Sequence, residues 1–168
     1  MTGPATGGSS FESFYREHYR PVVSLAHSVL GDFHAAQDVA QEVFLAAHRR
    51  FHGDVDGAPG WVRVAAVHTA LNVLRADRRR DRRHQLVPPP AAAAGPEEAA
   101  LEQETRAELR RALSRLSGRA ATVLVLRHGG MRYVEIAAAL DIGVGQVGTL
   151  LRRAESALSK EMNRASRP

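Results

Sequence analysis

The sequence predicts an all-α fold of two small helical domains joined by a Pro/Ala-rich linker, the second domain containing a helix-turn-helix. Three observations predict it. Apolar residues recur at three- and four-residue intervals through most of the chain, the spacing that gives a helix one apolar stripe. The 168 residues are 44% hydrophobic but only 5% aromatic, a balance suited to helices packed on Ala, Val and Leu. Between the halves, LVPPPAAAAGP at 86–96 holds three consecutive prolines and a Gly-Pro stop, which no regular element accommodates. The expected organisation is a Gly/Ser-rich tail at 1–10, a first domain at 11–84, a linker at 85–96 and a second domain at 97–168. Eleven extended residues reach about 35 Å, enough for two modules to engage separated sites.

In the first domain, Phe11, Phe14, Tyr15, Tyr19, Val22, Leu25, Ala26, Val29 and Leu30 keep helical spacing, and Gly31 stops the run. Pro21 lacks a backbone donor, so it either kinks this helix or begins a second one. Asp32 is placed to cap the next helix, which runs to Phe51 and buries Ala36, Val39, Ala40, Val43, Phe44 and Ala47. Its opposite face carries Asp38 and Glu42, a like-charge pair four apart, beside Gln41 and Leu45. That face reads equally as a docking surface for a protein partner or as a solvated flank.

HGDVDGAPG at 52–60 reads as a loop, and a helix from Trp61 then buries Trp61, Val64, Val67, Leu71 and Leu74. Another face of that helix presents His68, Asn72, Arg75 and Arg79. It leads into RADRRRDRRH at 75–84, where six Arg and two Asp suit a phosphate backbone, or else a solvated helix end.

Past the linker, Glu97 and Glu98 open a helix marked by Leu101, Leu109, Ala112, Leu113 and Leu116 and ended by Gly118. A short helix then carries Val123, Leu124 and Leu126 to the turn His128-Gly129-Gly130. From Arg132 to Leu158, two stripes follow, Tyr133, Ile136, Ala137 and Leu140, then Val144, Val147, Leu151, Ala154 and Leu158, joined by Asp141-Ile142-Gly143. So short a turn forces the helices to cross, which is helix-turn-helix spacing, although an ordinary helical hairpin has the same pattern. Asp141 occupies the position where such turns are often left-handed, a conformation Asp tolerates better than most residues. With the stripes inward, Gln146, Thr149, Arg152, Arg153 and Ser156 face outward as polar donors suited to a major groove.

Charge placement agrees with that reading. Residues 109–168 carry eleven Lys or Arg against four Asp or Glu, whereas 97–108 carries five Glu and one Arg. Cysteine is absent, which removes disulfides, thiolate metal sites and cysteine nucleophiles. The tail lacks a secretory signal and no apolar run reaches membrane-spanning length, so a cytoplasmic protein without membrane insertion is expected. His48 and His52 are four apart, but no Glu follows His48 in the HExxH manner and no third ligand accompanies them. P-loop, GxSxG and GxGxxG motifs are missing too. No catalytic residue, metal or cofactor is expected, and the chain reads as a non-enzyme.

Taken together, FESFYREHYRPVVSLAHSVLGD, AAQDVAQEVFLAAHRRF and the pairing of PEEAALEQETRAELRRALSRL with the helix-turn-helix resemble the bacterial extracytoplasmic-function (ECF) sigma factors. These are small RNA polymerase specificity subunits with two domains, and the match runs from Phe11 to about Met162. The resemblance implies that Asp38, Gln41, Glu42 and Leu45 bind helices of the largest subunit of core RNA polymerase. It implies that the 52–60 loop and the helix from Trp61, with His68, Asn72, Arg75 and Arg79, open the minus-ten element and capture an unstacked base. It further implies that Gln146, Thr149, Arg152 and Arg153 read the minus-thirty-five element as duplex. Family members are commonly held inactive by an anti-sigma protein clamped between the domains, so an anti-sigma partner is implied as well. The reading helix, GVGQVGTLLRRA, has Gly148 and Leu150 where many members carry Lys and Arg. That difference motivates a rival reading, a regulatory adaptor that binds a protein partner and has only vestigial DNA binding.

Overall fold

The protein is described by a computed structural model covering residues 11–52, 54–84 and 97–165. The expected tail and linker lie outside the described residues. Seven α-helices run in order, α1 Phe11–Leu30, α2 Phe33–Phe51, α3 Ala58–His84, α4 Glu97–Arg115, α5 Gly118–His128, α6 Tyr133–Leu140 and α7 Val144–Ala165. Among the described residues there is no strand.

Helices α1, α2 and α3 pack on one another, α4, α5 and α6 each pack on α7, and α3 also touches α4, α5 and α6, with α1 touching α5. Buried side chains from both halves therefore form one continuous cluster, with α3 as its spine. That double duty explains a departure from the expected stripe. Val62, Ala66, Val67, Ala70 and Leu71 are almost completely buried, while Trp61, Val64 and Leu74 are half-buried at the edge. A helix packed on two sides has no single apolar face for spacing to reveal.

Helix α2 matches its expected bounds because its ends are chemically marked. The Asp32 carboxylate accepts from the Ala35 N–H at 3.0 Å, and Gly31 holds a φ of 71° that closes α1. Helix α1 continues through Pro21, so the two-helix alternative does not hold. Pro21 is exposed, whereas Val22, Val23, Leu25, Ala26 and Val29 just beyond it are buried. Burial on that face offsets the one backbone hydrogen bond that Pro removes.

Two boundaries differ from expectation. Helix α3 starts at Ala58 rather than Trp61, because Pro59 falls in the first turn, where a missing N–H costs nothing and a fixed φ helps. Gly118 opens α5 instead of ending α4, and Ser117 caps it by accepting from the Ala120 N–H at 3.3 Å. Leu101, Leu109, Tyr133 and Val144, expected in apolar stripes, are exposed.

One buried polar atom lacks a partner among the described residues, the Thr122 hydroxyl within α5, in a residue 1% exposed. Because an unpaired buried hydroxyl is unfavourable by about 1–3 kcal/mol, Thr122→Val should raise stability by about 1 kcal/mol in urea unfolding. A destabilised variant would show that the hydroxyl is satisfied in solution.

Candidate nucleic-acid and polymerase-binding surfaces

The helix-turn-helix is built from caps that its own sequence supplies. The Glu135 carboxylate accepts from the Arg132 N–H at 2.6 Å and from its guanidinium at 3.3 Å. These bonds, the backbone one first, hold the Glu135 carboxyl below its ordinary range. Met131 and Ile136, either side of that cap, are both buried, the positions of a hydrophobic staple. At the other end Asp141 has φ 51° and ψ 55°, the left-handed conformation expected of it. Helices α6 and α7 consequently meet at 95°, and Ala137 and Val147 are buried in the elbow with Ile142 packed against them.

That geometry leaves Gln146, Arg152, Arg153 and Ser156 exposed and Thr149 half-buried along α7. Gln146 has a second task. Its side-chain oxygen accepts from the Gly143 N–H at 3.0 Å, a capping-box contact that fixes the start of α7 and leaves the amide NH2 to face outward. Gly148 sits where a Cβ would lie 3.6 Å from the Tyr133 ring, an ordinary contact. Gly148→Ala should therefore stabilise the protein by about 0.5–1 kcal/mol, since helical Gly costs that much relative to Ala. A lower melting temperature would contradict this packing.

On α2, Asp38, Gln41, Glu42 and Leu45 are all exposed, Leu45 at 60%. Among the described residues neither carboxylate has an ion-pair partner. Glu42 also borders a shallow groove between α2 and α3 lined by Trp61 and His68, so the two sequence-derived sites of the first half adjoin.

The residues of α3 are split. His68, Asn72 and Arg79 are exposed on one side. Arg75 is turned away from them, and its guanidinium donates to the Leu116 carbonyl at 3.1 Å. Three residues around Trp61 escaped sequence reasoning. The Arg50 guanidinium lies 5.6 Å from the Trp61 ring centroid and 5.7 Å from that of Phe51. Arg63 lines the same cavity as Trp61, Arg50 and His18. Helical periodicity within one element carries no signal for them, because Arg50 and Trp61 meet only across the loop after α2.

Burial holds the His18 imidazole below its ordinary pKa, Glu17 opposes that shift and Arg63 adds to it. A base whose folded pKa is depressed contributes stability above its unfolded value, about 6.5, that is lost as pH falls through the folded value. As pH falls below about 6.5, the melting temperature of wild type should fall more steeply than that of His18→Gln. Parallel curves would exclude His18 as the cause.

His48 packs edge-on against Phe11, with centroids 4.8 Å apart. Among the described residues no group of three or more His, Cys, Asp or Glu side chains is placed to hold a metal, and no single helix is long and apolar enough to cross a membrane.

Two family models match the chain, Sigma-70 region 2 over residues 14–80 and Sigma-70, region 4 over residues 106–158. The RNA polymerase sigma-H factor of Pseudomonas aeruginosa is 31% identical over 162 residues, covering 84% of this chain and 83% of that protein. The RNA polymerase sigma factor YlaC of Bacillus subtilis is 27% identical over 169 residues, 93% and 94% of the two chains. A probable ECF RNA polymerase sigma factor, SigI of Mycobacterium tuberculosis, is 28% identical over 160 residues, which span 90% of this chain but 55% of the relative. Among solved structures, the sigma factor RpoE in complex with the anti-sigma factor NepR from Bartonella quintana matches with a TM-score of 0.52. At 17% identity, over 94% of this chain and 98% of that one, the likeness is one of fold.

Proposed function

This chain belongs to the ECF family of sigma-70 RNA polymerase sigma factors, and from that membership we infer that it binds core RNA polymerase, directs it to specific promoters and assists promoter melting. The observation that carries this reading is the pairing, on one chain, of an outward-facing α7 bearing Gln146, Thr149, Arg152 and Arg153 with an unpaired acidic face on α2. The first is suited to the major groove of an upstream element and the second to a basic protein surface.

In this account Asp38, Gln41, Glu42 and Leu45 dock on the polymerase. Trp61, His68, Asn72 and Arg79 engage the strand that is opened at the minus-ten element, where an aromatic face supplies stacking and a guanidinium meets phosphate, while Arg75 is held by the Leu116 carbonyl instead. The protein performs no chemistry of its own, needs no cofactor and works in the cytoplasm, where polymerase and promoter DNA are. An anti-sigma protein is a further expected partner, since the neighbouring RpoE fold is solved with one.

The test is direct binding. Purified protein added to sigma-free core polymerase should co-elute in size-exclusion chromatography as a stoichiometric complex. Separate elution at micromolar concentrations would remove the initiation-factor reading.

A further inference from the structure

Along the seam between the two halves, Leu25 of α1 comes so close to Gly129, after α5, that a Cβ there would stand 2.5 Å from its Cδ1. Beside that contact the chain encloses a cavity of about 570 Å³, to which α1, α3, α4, α5 and α7 all contribute. Its volume falls within the span of small-molecule sites. At about 30 Å³ per heavy atom, the share of one water in the liquid, the space holds at most about 19 heavy atoms. Arg63 and Met131 also line the Trp61 cavity, so the two spaces adjoin.

The lining divides by chemistry. Leu25, Leu113, Leu124, Val125 and Met131 are buried and form an apolar inner wall, with Leu158 half-buried beside them. Leu109, left 39% exposed where its helical stripe implied burial, belongs to the same lining. The polar groups are Ser24, Ser28, Arg63 and His128. The Ser28 hydroxyl already donates to the Leu25 carbonyl at 2.7 Å. Among the described residues no Asp or Glu lines the cavity, and neither Arg63 nor His128 forms an ion pair. Glu135, whose carboxylate Arg63 influences, lines the Trp61 cavity instead and is bonded to Arg132. A half-buried guanidinium over an apolar wall that holds no carboxylate favours an anion with an apolar body.

We propose that this cavity binds a small amphipathic carboxylate, its hydrocarbon body against the leucines and its carboxylate on Arg63, with His128 at the same polar end. A planar guanidinium meets a carboxylate with two parallel hydrogen bonds. One guanidinium balances one negative charge, which fits a carboxylate better than a phosphate monoester carrying about −1.5 to −2. The site stands whether or not the chain binds promoters. Because its walls come from both halves, the ligand and any partner that needs the halves apart weaken each other by the same factor.

The probe is decanoate, about a dozen heavy atoms with one charge, titrated by calorimetry into the full-length protein. Decanol and decyltrimethylammonium, which keep the chain and lose the negative charge, are the controls. Decanoate should bind one-to-one and raise the melting temperature. Both controls should bind at least about tenfold more weakly, since each lacks the charged acceptor. Arg63→Gln should weaken decanoate by about tenfold or more for the same reason. Ser24 is exposed on α1 at the lining, so Ser24→Phe should obstruct the cavity and abolish binding while leaving the melting temperature of the unliganded protein nearly unchanged. Loss of binding in either variant with that melting temperature retained supports the site. Equal binding of all three amphiphiles marks a merely apolar crevice and overturns the proposal, as does decanoate binding that either folded variant retains undiminished. No saturable binding below about 1 mM leaves the cavity to an apolar protein segment and overturns it too.

Discussion

Asp38→Arg, or Glu42→Arg, should cost the protein its binding to core RNA polymerase while leaving its fold intact. Both side chains are exposed and neither has an ion-pair partner among the described residues. Their removal therefore breaks nothing internal, and it relieves an i,i+4 repulsion of a few tenths of a kcal/mol. At a complementary interface the same change sets like charges against each other, which is unfavourable by several kcal/mol. A loss of about 3 kcal/mol lowers affinity more than roughly a hundredfold. The measurement is a binding titration of each variant against sigma-free core, paired with thermal unfolding. An unchanged melting temperature with lost binding places the interface on this face of α2. Retained binding moves it elsewhere, and lost binding with a large drop in melting temperature reports on folding alone.

Arg152→Ala combined with Arg153→Ala should weaken binding to upstream-element duplex by about 2 kcal/mol, roughly thirtyfold. Both guanidiniums are exposed on α7, and neither forms an ion pair among the described residues. If each meets a phosphate, the slope of log affinity against log salt should fall by about 1 for every phosphate left without its guanidinium. A weakened complex with unchanged slope would assign the pair to base edges, and unchanged affinity would take α7 out of the groove. The comparison carries extra weight in this chain because Gly145 and Gly148 contribute no side chain to the same helix. Fewer donors are left to share the work.

How much of this was legible in the sequence depends on how local each cause is. Helix α2 could be delimited because Asp32, Gly31 and an unbroken apolar period all act within a few residues of its ends. The left-handed turn at Asp141 was readable for the same reason. Pro59 and Gly118 misled because each is as much a helix-starting residue as a breaker, and only the helix that follows decides which. The buried side of α3 was displaced because two packing partners compete for it. The seam itself was illegible. Leu25 with Gly129 and Arg75 with the Leu116 carbonyl are separated by long stretches of chain, and nothing in periodicity or charge pairs them. Arg75 illustrates the cost, since its spacing grouped it with His68, Asn72 and Arg79 and its hydrogen bond takes it elsewhere.

Transcription reconstituted from purified parts separates an initiation factor from a regulatory adaptor. The full-length protein, sigma-free core polymerase and fragmented genomic DNA are incubated with nucleotides, and RNA 5′ ends are mapped by sequencing. An initiation factor should give discrete start sites, absent without the protein, that share one motif near minus ten and a second near minus thirty-five. Stoichiometric core binding that yields no protein-dependent start sites would contradict it and leave a regulatory adaptor as the better description.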